Sequence, residues 1–440
     1  MTPPSVSKKP LSRLRMLTCV CSALIIACAL PDAPGRQAST DKPSSPITFP
    51  KIDRRPRFTR IPAKQFTSIP KYDPESEDSF QVDLRSADLW KLDLRESAEN
   101  LFYATFDDRT AWPPPDRMPR DFDPKAVMEL GKNPGLGVRS LHARGITGKG
   151  VGIAIVDQPL VTNHIEYAAR LRLYEEVNIP PETSSAMHGA AVASIAVGKT
   201  VGVAPDADLY FIAVPAVDPG SQVRDRKKMR RDFTWYAEAV RRVIEINKQL
   251  PANEKIRAIS LSIGWSPTET AYGEMTAAAN AARDAGLLVT SSSIEQTHKF
   301  RIHGLGRAPM ADPDKFESFE PGLFWAREFG KPFSAGRLCI PMDSRTTAGP
   351  TGSRDYAFYR SGGWSWITPY LAGVYALACQ VKPEITPDEF LSLAMKTGRT
   401  IQFTQNGKTL PLGPIIDPVA IIDALQEGMK KTSPANPQPQ

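Results

Sequence analysis

Residues 151–157 read Val151-Gly152-Ile153-Ala154-Ile155-Val156-Asp157, an apolar run that ends abruptly in a carboxylate. Such a run reads as a strand with an acid at its carboxyl end. The segments after it alternate in type. His188 to Val197 is a helix of small apolar residues, Leu209 to Val214 is a strand, and Phe233 to Leu250 has helical periodicity. Ile256 to Ile263 is again a strand, Glu274 to Ala285 a helix and Leu287 to Ser291 a strand. Strands alternating with helices predict βαβ units, a parallel sheet and an α/β fold. Further on, Thr386-Pro387-Asp388-Glu389 is a capping box with proline at the first helical position, and Asp417-Pro418 opens a last helix in the same manner.

In open α/β sheets, functional groups collect beyond the carboxyl ends of the strands. Three segments carry such groups. Asp157 closes the first strand. His188, one of five histidines, opens the helix His188-Gly189-Ala190-Ala191-Val192-Ala193-Ser194. Ser365 follows paired glycines in Ser361-Gly362-Gly363-Trp364-Ser365-Trp366-Ile367-Thr368-Pro369 and stands at the first turn of a helix. A helix start offers free N–H groups and partial positive charge to an anion. Taken singly, these read as a turn aspartate, a packing histidine and an N-cap serine. Together, a hydroxyl, a base and a carboxylate are the parts that nucleophilic acyl transfer needs.

Their order and surroundings resemble the subtilases, the S8 family of serine peptidases. Gly148-Lys149-Gly150-Val151 leading to Asp157 is similar to the family's glycine-led strand ending in D-T-G. His164-Ile165-Glu166-Tyr167 stands where the family has H-P-D-L, and His188-Gly189-Ala190-Ala191-Val192-Ala193 resembles H-G-T-H-V-A-G. Gly202-Val203-Ala204-Pro205-Asp206-Ala207 resembles G-V-A-P-x-A, and Ser262-Ile263-Gly264 the S-L-G of a substrate-binding strand. Gly363-Trp364-Ser365-Trp366-Ile367-Thr368-Pro369 resembles G-T-S-M-A-T-P. The resemblance runs from about residue 136 to 426. It implies a subtilisin-like, doubly wound, mostly parallel sheet with helices on both faces; the region ahead of it, which does not resemble the family's usual pro-domain, reads as an extended N-terminal arm packed on the main domain or a pro-segment. The resemblance further implies a serine endopeptidase with Asp157, His188 and Ser365 as its triad and a polypeptide as its substrate. Ser262, Ile263, Gly264 and Ile294 would bind that substrate, and the reading calls for no metal and no cofactor.

The departures are specific. Trp364, Trp366 and Ile367 replace the Thr, Met and Ala of the serine motif. The family's A-A-G-N aligns with Ser292-Ser293-Ile294-Glu295, so a glutamate stands where an amide donor to the oxyanion is expected. An ionised carboxylate only accepts hydrogen bonds and would repel the oxyanion. Three arrangements are open: a protonated Glu295 buried beside Trp364, Gln296 in its place by a shift of one residue, or the Ser365 amide acting nearly alone. Losing one such donor costs ~10²–10³ in turnover. Ile294 in place of the family's pocket glycine implies a shallow first specificity pocket. These changes favour a second reading, a non-hydrolytic relative that binds peptides in the same groove. A complete triad argues for the peptidase.

The ends of the chain carry their own signals. Lys8 to Arg15 are basic and Met16 to Ala27 form an uncharged apolar run, too short to span a bilayer comfortably, so residues 1–27 read as an export signal. Ile25-Ile26-Ala27-Cys28 resembles a lipobox, which would lipidate Cys28 and anchor the mature protein to a membrane. Cleavage after Ala27-Cys28-Ala29, with free secretion, is the alternative. Residues 28–80 are expected to be a disordered linker and 427–440 a disordered tail. Residues 81–135 are expected to pack on the main domain through Trp90, Phe102, Tyr103, Phe106 and Trp112. The net charge is +7; Lys8, Lys9, Arg13 and Arg15 lie in the signal, and without them it is +3, too little to argue for nucleic acid. The cluster Arg224, Arg226, Lys227, Lys228, Arg230 and Arg231 reads as a solvated face. Cys339 and Cys379 are either bonded to each other or two buried thiols. A monomer is expected.

Overall fold

A computed structural model describes residues 47–74, 76, 80–215, 231–323, 336–405 and 407–432. The export signal, Cys28 and the basic cluster up to Arg230 lie outside the described residues. Six strands form the central sheet: β1 (Lys51–Ile52), β2 (Gly152–Asp157), β3 (Leu171–Glu176), β4 (Asp208–Ala213), β5 (Ile256–Leu261) and β6 (Leu288–Ser291). Their order is β1-β3-β4-β2-β5-β6, and every neighbouring pair is parallel. All six therefore end at the same edge. There β2 stops at Asp157, β5 runs on into Ser262-Ile263-Gly264, and β6 runs on into Ser292.

Alternate residues of a strand point to opposite faces. Ile153 and Ile155 of β2 join one core with α1 (Met187–Val197) and α4 (Ile367–Val381). Ala154 and Val156 join a second core with α2 (Thr234–Gln249) and α3 (Tyr272–Asp284). Helices thus cover both sides of this strand, and it is buried at every position. The α1 helix is apolar all round because it lies between the sheet, α4 and the strand Arg345–Ala348.

Residues 81–135 pack on this body. Ala104–Asp107 pairs antiparallel with Tyr356–Tyr359, and Val82–Asp83 lies parallel beside it. The Phe106 and Phe358 rings are 5.2 Å apart, within a cluster that holds Leu84, Leu89, Leu101 and Val127. Phe106 is buried there with Tyr103 and Trp112 packed against it, whereas Trp90 is 58% exposed and does not serve as an anchor.

Two expectations at the ends are corrected. Residues 47–74 are not a free linker. The strand β1 extends the central sheet, with Lys51 opposite Leu173 and Ile52 opposite Tyr174. Phe49 packs edge-on against Tyr210 at 5.6 Å, Lys51 bonds Glu175 at 2.6 Å, and Arg54 bonds Glu176. Proline-rich composition gave an extended chain, but an extended chain with apolar and cationic positions can close a sheet edge that ends in glutamates. Likewise the last helix, Pro418–Thr432, continues past residue 426. It is capped by Asp417, which accepts from the Ala420 amide at 2.9 Å, and it buries Ile421, Ile422 and Leu425.

Among the described residues, no helix is long and apolar enough to cross a membrane. Cys339 and Cys379 are free, buried thiols. Burial pushes their pKa values up to about 12 and about 11. Neither should react with iodoacetamide in the native protein at pH 8, and both should react in denaturant. Rapid native labelling, read by mass spectrometry, would contradict this packing.

Candidate active site

Asp157 sits at the carboxyl end of β2 with only 4% of its surface exposed. Its Oδ1 accepts from the Gln158 amide at 2.7 Å and bonds His188 Nδ1 at 2.7 Å. His188 is in the first turn of α1. The next residue explains the close approach of helix to strand: a Cβ on Gly189 would lie 2.0 Å from the Gln158 carbonyl oxygen, so no side chain fits. Burial disfavours the charged imidazole, but the Asp157 carboxylate and its hydrogen bond outweigh that, and the His188 pKa is raised above its ordinary value.

Ser365 lies in a single 3₁₀ turn, Trp364–Trp366, that leads into α4. Gly363 enters the turn at φ 63°, a left-handed conformation that favours glycine. A set of hydroxyls ties the turn to the sheet. Ser262 Oγ donates to the Ser365 carbonyl at 2.9 Å and bonds Thr368 Oγ1 at 2.8 Å. Ser260 Oγ donates to Thr368 Oγ1 at 3.3 Å, and Thr290 Oγ1 donates to the Thr368 carbonyl at 3.1 Å. Ser365 Oγ itself donates to the Ser262 carbonyl at 3.4 Å. The turn touches α1, and the Trp366 ring lies 5.7 Å from the His188 ring. Among the described residues His188 Nε2 has no hydrogen-bond partner, so histidine and serine are neighbours without a bond between them. Free enzymes often show loose bonds of this kind that tighten only with substrate.

Several other expected residues take different places. Glu295 and Gln296 are exposed on the short helix Ile294–His298, so Glu295 is not buried beside Trp364. The reason is helical spacing: Ile294 and Thr297, three apart, face the interior and turn the two residues between them outward. Gln296 Nε2 is held by the Trp265 carbonyl at 3.3 Å. Ile294 is 1% exposed in the core and presents no surface to a substrate. Ser262, Ile263 and Gly264 form a partly exposed strip beside Ser365, with the Ile263 carbonyl taken by the Ser292 amide at 3.1 Å. Trp366 points inward and packs edge-on against Tyr359 at 5.4 Å, so it fills core space.

Sequence reading missed Ser260, Thr290 and Thr368 as a clamp. Their only signal was hydroxyls inside otherwise apolar strands and at a helix start. It also missed Asp343, which is fully buried and accepts from the Gly362 amide at 3.0 Å, just ahead of Ser365. Burial pushes the Asp343 pKa up to about 6. His164, in contrast, is structural: Nε2 bonds the Asp355 carbonyl at 3.0 Å and Nδ1 accepts from the Glu166 amide. No group of three or more His, Cys, Asp or Glu among the described residues could hold a metal ion. A cavity of about 720 Å³, lined by Lys149, Gly150, Ile256, Leu287 and Thr386, opens at the amino ends of the strands and holds none of the three candidate residues.

Comparison with known proteins bears on this geometry. The subtilase family model matches residues 148–313, a span that holds Asp157, His188 and Ser262 but ends before Ser365. The subtilisin-like protease PopC of Myxococcus xanthus (strain DK1622) is 36% identical over 296 residues, which is 60% of this chain. The aligned part spans 59% of that relative's length. The solved structure of the prenylagaramide maturation protease PagA aligns with a TM-score of 0.44 and 16% identity, covering 66% of this chain and 98% of that one. The aspartate and histidine segments lie inside the span over which the chain is similar to the subtilase family.

Proposed function

We propose that the chain is an exported, monomeric serine endopeptidase acting on polypeptides through Asp157, His188 and Ser365. The observation that carries this reading is the 2.7 Å bond from His188 to Asp157, set beside a serine turn that is clamped to the neighbouring strand. In the reaction, His188 Nε2 takes the Ser365 proton as Oγ attacks the peptide carbonyl. Asp157 holds the imidazole by Nδ1 and stabilises its charged form. His188 then returns the proton to the leaving amine, and water hydrolyses the acyl-enzyme by the same steps. The fold supplies the Ser365 amide, at the electropositive start of a helix, as a donor to the oxyanion. Ser262, Ile263 and Gly264 offer an extended strip on which a substrate strand can lie.

A second reading, a peptide-binding relative with little or no turnover, is favoured by one observation: Glu295 and Gln296 both face solvent, and neither offers a side-chain amide to the oxyanion. A fluorophosphonate probe separates the two. The wild-type chain should label at Ser365, and Ser365→Ala should abolish labelling with the fold intact. An unlabelled wild type supports the second reading. Because Glu295 is exposed, Glu295→Gln should leave the labelling rate within about twofold; a large change would show that the glutamate works in the site.

The pH profile follows from the base. His188 must be neutral to accept the proton, and Asp157 raises its pKa against the opposing effect of burial. Turnover should therefore fall as the pH drops through a value above that of an ordinary histidine. Asp157→Asn should move this acid limb to lower pH and cut turnover by about 10⁴-fold. An unmoved limb would show that Asp157 does not act on the base. Export with a lipid anchor at Cys28 is part of the same proposal, and mass spectrometry of the mature N-terminus tests it. A lipidated Cys28 is the expected result, and a free N-terminus at Leu30 would mean secretion instead.

A further inference from the structure

Past β1, the chain runs on to the loop that delivers His188. Arg54 grips Glu176 with two bonds of 2.7 Å, and its Nη1 donates to the Thr183 carbonyl at 2.9 Å. The Ser185 amide donates to the Arg57 carbonyl at 2.9 Å, and Thr59 Oγ1 donates to the Ser185 carbonyl. The Thr59 amide donates to the Pro350 carbonyl at 2.9 Å, and that oxygen also accepts from Ser185 Oγ at 3.1 Å. Ser185 is buried, so without this strap its backbone N–H and C=O would be left unpaired away from water. The helix has no cap of its own: Ala186 stands at its N-cap with no side-chain bond. The start of α1, and with it His188, is therefore held from outside: the Pro159 carbonyl accepts from the Ala186 amide at 2.6 Å, and the rest of the hold comes from residues more than a hundred positions earlier in the chain.

We propose that residues 54–59 are a brace that positions His188 against Asp157, and that this segment belongs to the working protein and cannot be removed by processing without loss of function. The effect on turnover rests on the serine-peptidase reading; the effect on His188 does not. Arg54, Thr59 and Ser185 are positioning residues and touch no substrate. Asp157 is the ionisable group that acts on His188 among the described residues, and it raises the His188 pKa. A helix start that drifts from Asp157 lowers it.

The test uses the full chain with isotope-labelled histidines, and follows the His188 titration by NMR together with the rate of fluorophosphonate labelling. Thr59→Val keeps the branched shape and removes the hydroxyl donor; Arg54→Met removes the grip on Thr183. Both should lower the His188 midpoint and slow labelling by about tenfold, with KM for a peptide substrate unchanged, because misplacing the base slows chemistry and spares binding. Thr59→Ser, which restores the hydroxyl, should return both readings to the wild-type values. If the variants lower only Tm, with the His188 midpoint and the labelling rate per folded molecule unchanged, the brace is overturned. If one variant does not fold, the other and the serine rescue still decide. A wild type that does not label, but whose His188 midpoint still falls on Thr59→Val, would keep the brace and sink the peptidase reading.

Discussion

The hydrogen bond between His188 Nδ1 and Asp157 Oδ1, 2.7 Å long, sets the terms for the rest of the molecule. It requires the amino end of one helix to meet the carboxyl end of one strand. A parallel sheet provides that meeting, because every strand ends at the same edge and the helices that follow start near it. Small residues then let the two come close: Gly189 has no room for a side chain against the Gln158 carbonyl. The alanines and valines behind it bury the helix on every side. An imidazole held there is pulled both ways, since burial disfavours its charge while the carboxylate favours it, and the carboxylate prevails.

The serine is held by a different device. No ion fixes it; hydroxyls do. Ser260 and Ser262 on and just after β5, with Thr290 on β6, all reach Thr368 or the backbone around it. Each such bond contributes about 1 kcal/mol net, and the loss of one partner leaves a buried polar group unpaired at a cost of about 1–3 kcal/mol. The clamp thus fixes the turn that carries Ser365 relative to the same strand edge that carries Asp157. Trp366, next to Ser365, does not block this arrangement, because it is absorbed into the core against Tyr359.

Much of this was legible in the sequence. The run from Val151 to Asp157 is apolar throughout because both faces of the strand are covered, and periodicity alone reads that correctly. Asp157 closes β2, His188 lies in the first turn of α1 and Ser365 in the turn that leads into α4. What was not legible depended on tertiary context. Residues 47–60 look like linker by composition, yet an open sheet edge with Glu175 and Glu176 gives Lys51 and Arg54 their partners. Alignment put Glu295 at the oxyanion position, but a one-turn helix starting at Ile294 carries it into solvent. Local helix formation after β6 is decided by which of Ile294 and Thr297 finds the core, and a linear alignment does not contain that. Ser185 and Asp343 carried no signal at all, since their importance lies in backbone amides and carbonyls supplied by distant segments.

The account stands on one claim, that Asp157, His188 and Ser365 form a single reactive site although no bond joins the last two in the free protein. The most direct measurement is a crystal structure of the chain after treatment with a fluorophosphonate. The account predicts an adduct bonded to Ser365 Oγ, with the contact to the Ser262 carbonyl broken and His188 Nε2 within hydrogen-bond distance of the adduct. An adduct on another residue, or an adduct on Ser365 with His188 still out of reach, would contradict it.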